Sequence, residues 1–283
     1  MVFSLYELFE YFDLPSIKIV DVGASIAKEQ PPYQTLKEIG KAEIVGFEPN
    51  LEKYQELINS SMDNELYLPY ALGDGTEKEF NICTGFQMSS FLEPNFKVLE
   101  YFEGFAKSSE IIKKDKIMTY KLDEIQEIQE IDYLKLDVQG AELVIIENGK
   151  NKIKNSLVIH TEVNFIPLYR NQPLFSEIDQ QLRQLGFFFH TFCPLMNCPL
   201  KPFLPAQGRQ GINQILWGDA VYIRDFTELS NLSSESLIKI AIIMNDCYKS
   251  FDLAALALKH IDLQEDTDCF EVYIESLNKT KSK

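Results

Sequence analysis

From Ile17 onward, short β-branched apolar runs alternate with longer stretches whose apolar residues recur every three or four positions. That alternation predicts a mostly parallel sheet wrapped by helices, an α/β fold. The strand candidates are Ile17–Val22, Glu43–Phe47, Leu66–Ala71, Tyr133–Asp137, Leu157–Val163, Phe187–Phe192 and Gln214–Ile223, enough for a seven-stranded sheet. Leu51–Ser60, Ala141–Asn148 and Leu174–Leu185 carry the helical period expected of crossovers. The first strands are apolar on both faces and therefore central. The amino-terminal stretch 1–15 reads as an amphipathic helix, because Glu7, Glu10 and Asp13 interrupt what a signal peptide would keep apolar.

Two segments break the rhythm. Residues 84–117 collect Gly85, Pro94, Gly104 and many aromatics, and residues 193–211 hold Pro194, Pro199, Pro202 and Pro205. Excursions of this kind commonly form lids or substrate walls, so both are expected to line the substrate side of a domain spanning residues 1–226. Residues 227–283 then read as a small C-terminal helical appendage, with segments Ser234–Tyr248, Asp252–Ile261 and Asp266–Leu277. The first two have the look of a single tetratricopeptide-type unit, too few for a repeat array, which leaves a structural cap or a homo-oligomer contact as the expectation.

Composition narrows the classes. Of 283 residues, 45% are apolar and 25% charged, a balance that buries a full core without disulfides. The five cysteines have no framework spacing, which points to a reducing, cytoplasmic setting. A formal charge of −16 disfavours nucleic acid as a partner. The greasiest window, Leu237 to Met244, is short and contains Lys239, so no integral membrane segment is expected.

Candidate chemistry gathers at the carboxyl tips of the strands, where ligands of open α/β sheets bind. The first strand runs into DVGASIA, bringing Asp21 to the edge ahead of Gly23 and Ser25. The second ends in GFEPN, placing Glu48 and Asn50 25 residues or more beyond Gly23, where an acid can hold both hydroxyls of a ribose. A solvated turn acid before Pro49 is the plainer reading of Glu48. The third ends in PYALGDG, setting Ala71 and Leu72 against a flat base with Asp74 nearby, or else making only a Gly-Asp-Gly turn. No basic residue waits for a phosphate and the third glycine of a Gly-x-Gly-x-x-Gly turn is missing, which counts against NAD-dependent oxidoreduction.

The fourth strand delivers Asp137 in YLKLDVQGAEL, and the fifth delivers His160 and Glu162 on one face. Asp137 is the first choice for the reaction centre. A His in an apolar strand is more often a hydrogen-bonded core residue than a catalyst. Asp137 and Glu162 together offer oxygen ligands for one divalent cation, but two acids do not define a site, so metal dependence stays open. Ser89 and Ser90, flanked by Phe86 and Phe91, are placed to offer hydroxyls and stacking faces to a sugar ring. His190, Cys193 and Cys198 lack a fourth zinc ligand at the right spacing and read as ordinary side chains.

Taken in order, DVGAS, GFEPN, ALGD, Ser89-Ser90, KLDEI, KLDVQGAEL, TEV and WGDAVYIRD resemble the FkbM family of S-adenosylmethionine-dependent methyltransferases across Val20 to Arg224. The resemblance implies a Rossmann-like class I methyltransferase sheet and O-methylation of a sugar, glycan, glycolipid or related natural product. It implies that Asp21, Gly23 and Ser25 hold the methionine part of S-adenosylmethionine, Glu48 its ribose with Asn50 alongside, and Ala71 and Leu72 its adenine. Asp137 would be the base, with Glu162 assisting and His160 as the alternative base. Two departures stand out: Ser25 and Ala27 occupy the places of an Asn and a closing Gly, and Gln139 that of a Glu. A scaffold that has lost its cofactor is the other class of reading open at this point.

Overall fold

A computed structural model describes residues 3–25, 30–203 and 213–281. Its main sheet has seven strands in the order β3-β2-β1-β7-β8-β10-β9. These are β1 (Ile17–Val22), β2 (Ala42–Phe47), β3 (Glu65–Leu68), β7 (Tyr133–Leu136), β8 (Val158–Asn164), β9 (Phe187–Asn197) and β10 (Ile215–Arg224). All neighbours are parallel except β10, which runs antiparallel to both β8 and β9. The chain winds outward from β1 in both directions, so the switch point lies between the tips of β1 and β7.

Each predicted strand is present, but the third is cut in two. Pro69 has no N–H to give the ladder, and β3 stops at Leu68. Ala71–Leu72 (β4) instead pairs with β6 (Ile111–Tyr120), which also pairs with β5 (Glu77–Cys83) in a second sheet of order β4-β6-β5. The β5–β6 hairpin is laced by ion pairs, Lys114 to Glu79 at 2.6 Å and Lys116 to Glu77 at 3.2 Å. The first insert therefore carries part of a sheet as well as the one-turn helices α4 (Phe96–Leu99) and α5 (Phe105–Ser108). The second insert begins as strand, since β9 continues to Asn197; residues 204–212, with Pro205, lie outside the described residues.

Two helical layers enclose the main sheet. On one side, Ile145 and Ile146 of α6 (Glu142–Glu147) and Ile178 and Leu182 of α8 (Phe175–Gln184) pack on Val20, Val22, Leu134, Leu136 and Ile159. The short α7 (Lys150–Ile153) follows α6, and α3 (Leu51–Ser60) lies at the other end near β3. On the opposite side the expected layer is thin. Among the described residues, the amino-terminal helix is α1 (Leu5–Leu8), capped by Ser4, rather than residues 1–15, and the β1–β2 crossover carries α2 (Gln34–Glu38).

The C-terminal helices fill that gap. They are α9 (Ser234–Ile242), a π-turn over Ile243–Cys247, α10 (Phe251–Glu265) and α11 (Cys269–Lys281). Leu237, Ile240, Met244, Ala254 and Leu258 share one buried cluster with Ile17, Ile19, Ile44, Tyr133, Val158 and Val221 of the sheet. Lys239, with 7% of its side chain exposed, reaches Asp132 at the foot of β7 over 3.2 Å. The core thus runs straight across residue 226, and the apolar face of these helices is buried within the chain.

Candidate functional site

Asp21 lies between Gly46 of β2 and Lys135 of β7 in the strand register. Its carboxylate is internal: Tyr33 donates its hydroxyl to Oδ2 at 2.5 Å and Lys135 donates Nζ to Oδ1 at 3.0 Å. Gly23, at φ +88°, turns the chain out of β1, and a Cβ there would lie 2.0 Å from the Asp137 carbonyl oxygen. The glycine is therefore required by the touching backbones of the β1 and β7 tips. The N–H groups of Gly23 and Ala24 both donate to the Phe47 carbonyl, which ties the β1 turn to β2. Ser25 is exposed beyond this turn, and Ala27 lies outside the described residues.

Glu48 sits just past β2, 7% exposed. Oε1 accepts the Asn50 N–H at 2.7 Å, while no described residue donates to Oε2. Burial raises its pKa, against the pull of the Asn50 N–H and of Lys53. Asn50 uses its side-chain oxygen to cap α3, accepting the Lys53 N–H at 3.1 Å. Ala71 and Leu72 are buried in β4. Asp74 is held down to about 2 by Lys78 and Thr76, a closed turn of its own.

Asp137 follows β7 directly and is exposed at the carboxyl edge. Gln139 joins it to Glu162: Nε2 donates to Asp137 Oδ1 and to Glu162 Oε2, both at 3.2 Å. Tyr169 donates its hydroxyl to Gln139 Oε1 at 3.4 Å. Gln139 itself is left-handed, φ 55°, and Ser90 pins its carbonyl with a 2.6 Å hydrogen bond. Glu142 folds back under this turn to accept the N–H groups of Val138 and Gly140. Burial raises Glu162 well above the ordinary carboxylate range, and Asp137, Glu142 and Asp219 add to the rise.

Carboxylates from the tips of β2, β7 and β8 thus line the carboxyl edge beside the switch point. The methyltransferase FkbM domain matches residues 21–189, more than half of the chain and all of these tips. The chain belongs to this family. No curated protein matches it. Similar solved structures include magnesium protoporphyrin IX methyltransferase from Synechocystis PCC 6803 with bound SAM, at 12% identity over 78% of this chain and 76% of that one, TM-score 0.38. A putative methyltransferase from Thermoplasma acidophilum is similar at 9% identity over 75% and 70%, TM-score 0.38. A protein of the NADB-Rossmann superfamily from Streptococcus agalactiae covers 95% of each chain at 13% identity, TM-score 0.37. The FkbM fold here is the seven-stranded Rossmann-like sheet that the resemblance implies, with its C-terminal helices present.

Within this FkbM edge the structure brings Asp137 and Glu162 together and sets His160 apart. His160 is 3% exposed, and its Nδ1 meets the Tyr248 hydroxyl at 2.9 Å while Nε2 meets Asp219 at 3.2 Å. That is a buried, hydrogen-bonded core histidine with both ring nitrogens in contact with side chains of the protein itself. Ser89 and Ser90 also face inward: Ser89 Oγ accepts the Cys83 N–H at 3.0 Å, and Ser90 Oγ accepts the Leu92 N–H at 3.0 Å besides donating to Gln139. Their hydroxyls are engaged by the loop's own backbone, because buried backbone groups need partners. His190 bonds to Ser250 at 2.9 Å, and no cysteine forms a disulfide. Among the described residues, no group of three or more His, Cys, Asp or Glu is placed to hold a metal ion.

Sequence reasoning passes over Lys135, Tyr33, Gln139 as a bridge, and Tyr169. Only Lys135 carries a signal, since a lysine inside a central parallel strand demands a buried counter-charge. Tyr33 and Tyr169 come from loops whose approach no local pattern encodes. A cleft of about 410 Å³ on the first insert, lined by Asn95, Lys97, Val98, Tyr101, Phe102 and Leu200 with Ile166, lies outside this set of carboxylates.

Proposed function

We propose that this chain transfers a methyl group from S-adenosylmethionine to a hydroxyl of a sugar, glycan, glycolipid or related natural product. The observation that carries the reading is Glu48: a buried carboxylate at the β2 tip with one oxygen fixed by Asn50 and the other taking no donor from the described residues. That is the chemistry a ribose diol requires, beside the glycine turn that the resemblance implies for the cofactor. The residues present fit S-adenosylmethionine: Glu48 for the ribose, the turn at Gly23 and Ser25 for the methionine part, and Ala71 and Leu72 for the adenine side.

When bound, S-adenosylmethionine supplies a sulfonium methyl, so that the acceptor oxygen gains an O–CH3 bond as the S–CH3 bond breaks and its electron pair returns to sulfur. Asp137 takes the hydroxyl proton, being the one exposed carboxylate of the bridged pair. Glu162 assists from beneath through Gln139. Asp21 serves the site from inside, fixing Lys135 and Tyr33 under the β1 turn rather than offering a free oxygen. No helix among the described residues is long and apolar enough to cross a membrane.

The test is transfer of a labelled methyl group to a panel of sugars and glycolipids. Asp137→Asn keeps shape while removing the base. It is expected to keep cofactor affinity and lose roughly 100-fold or more in turnover. An Asp137→Asn protein methylating at full rate ends the assignment.

A further inference from the structure

The Gln139 amide has a single orientation that satisfies its surroundings. Two carboxylate oxygens face one end at 3.2 Å each and a tyrosine hydroxyl faces the other. Nε2 has two hydrogens and no capacity to accept, so each hydrogen meets one carboxylate, while Oε1 accepts from Tyr169. Rotating the amide by half a turn would set its carbonyl oxygen, an acceptor, toward Asp137 Oδ1 and take both N–H donors away from the two acids. The backbone is equally constrained, by the Ser90 hydroxyl on the Gln139 carbonyl and by the left-handed φ of 55°. Oxygen from Asp137 and oxygen from Glu162 therefore converge on one nitrogen carrying partial positive charge.

Converging carboxylate oxygens are also how a protein holds a hard divalent cation. We propose that the Gln139 carboxamide stands in place of such a cation, holding Asp137 and Glu162 at their working separation so that this site operates without a metal ion. Gln139 is a positioning residue: it acts on the acceptor only through the two carboxylates. The step from metal-free geometry to metal-free catalysis rests on the methyltransferase reading; the geometry itself does not.

The substitution Gln139→Glu replaces the donor nitrogen by oxygen and turns the bridge into a third converging carboxylate. The experiment titrates Mn2+ by calorimetry into the full chain, its fold verified by circular dichroism, as wild type, Gln139→Glu and Asp137→Asn. Wild type and Asp137→Asn are expected to show the same weak background uptake. Gln139→Glu is expected to bind at least about tenfold more tightly, because affinity for hard cations rises with the number of charged oxygen ligands. A wild type that binds Mn2+ as tightly as Gln139→Glu, or whose binding disappears in Asp137→Asn, overturns the proposal. Should Gln139→Glu fail to fold, the wild type against Asp137→Asn comparison decides alone: equal background upholds the proposal, and Asp137-dependent binding overturns it.

Activity adds a second arm. Wild-type methyl transfer is expected to be unchanged by EDTA, and a loss restored by Mg2+ overturns the proposal. Gln139→Met, which fills the space without donors, is expected to lose about 10- to 100-fold in kcat with the KM for S-adenosylmethionine unchanged. An unchanged kcat overturns the positioning role. Failure of the methyltransferase reading is recognised separately, by absence of S-adenosylmethionine binding in the same calorimeter, and leaves the Mn2+ comparison intact.

Discussion

Lys135 and Asp21 face each other across the seam between β1 and β7, Nζ 3.0 Å from Oδ1, with 14% and 5% of their side chains exposed. The pair lies directly beneath the glycine turn of the site. Burial alone would lower the lysine pKa, but Asp21, then Asp137 and Asp219, raise it, so the ammonium stays charged. Lys135→Met leaves Asp21 buried with only the Tyr33 hydroxyl, and is expected to cost about 3–5 kcal/mol in urea unfolding. Adding Asp21→Asn to that variant is expected to recover a large part of the loss. A Lys135→Met protein as stable as wild type would show that the pair is not a buried ion pair.

Glu162 gives a pH dependence with a definite sign. Its folded pKa lies well above its ordinary value of 4.5, so the native state keeps a proton that the unfolded chain has released. The stability it contributes is full below about pH 4.5 and declines as pH rises through the folded pKa. Glu162→Gln carries no such proton. Relative to wild type it is therefore expected to gain stability between pH 5 and pH 8, measured by denaturant titration at both. A pH-independent difference would contradict the assignment.

The strand tips were legible because each apolar run ends in an acid and a turn residue, and Asp137 and Glu48 stand where that pattern places them. The β5–β6 hairpin was not, since its strands are held by cross-strand ion pairs such as Lys114 to Glu79 and show no apolar period. The direction of Ser89 and Ser90 was equally hidden: it is set by backbone donors at Cys83 and Leu92 that only the folded loop brings near. The requirement for Gly23 was hidden as well: a Cβ there would meet the Asp137 carbonyl oxygen at 2.0 Å, a contact between two strand tips that no local pattern encodes.

The C-terminal helices are expected to be indispensable. A chain ending at residue 226 would expose Ile17, Ile19, Ile44, Val158 and Val221, each worth roughly 1.5–3 kcal/mol when buried. Such a chain is expected to be insoluble or to lack fixed tertiary structure, read by near-ultraviolet circular dichroism. A soluble, cooperatively unfolding fragment would mean that the helices are dispensable.

Ser90 separates a loop-shaping role from contact with the acceptor. Ser90→Ala leaves the Gln139 carbonyl without its 2.6 Å partner, at a cost of about 1–3 kcal/mol in stability. It is also expected to lower kcat by loosening the Asp137–Gln139 turn, with the acceptor KM unchanged. A raised acceptor KM at wild-type stability would place the hydroxyl on the acceptor instead.

The cofactor is the centre of the account, and S-adenosylhomocysteine titrated into the purified chain by calorimetry tests it most directly. One-to-one binding is expected in the wild type, weakened at least about tenfold in Glu48→Ala through loss of the charged hydrogen bonds to the ribose. A wild type that takes up no ligand, or binding that Glu48→Ala leaves untouched, would contradict it.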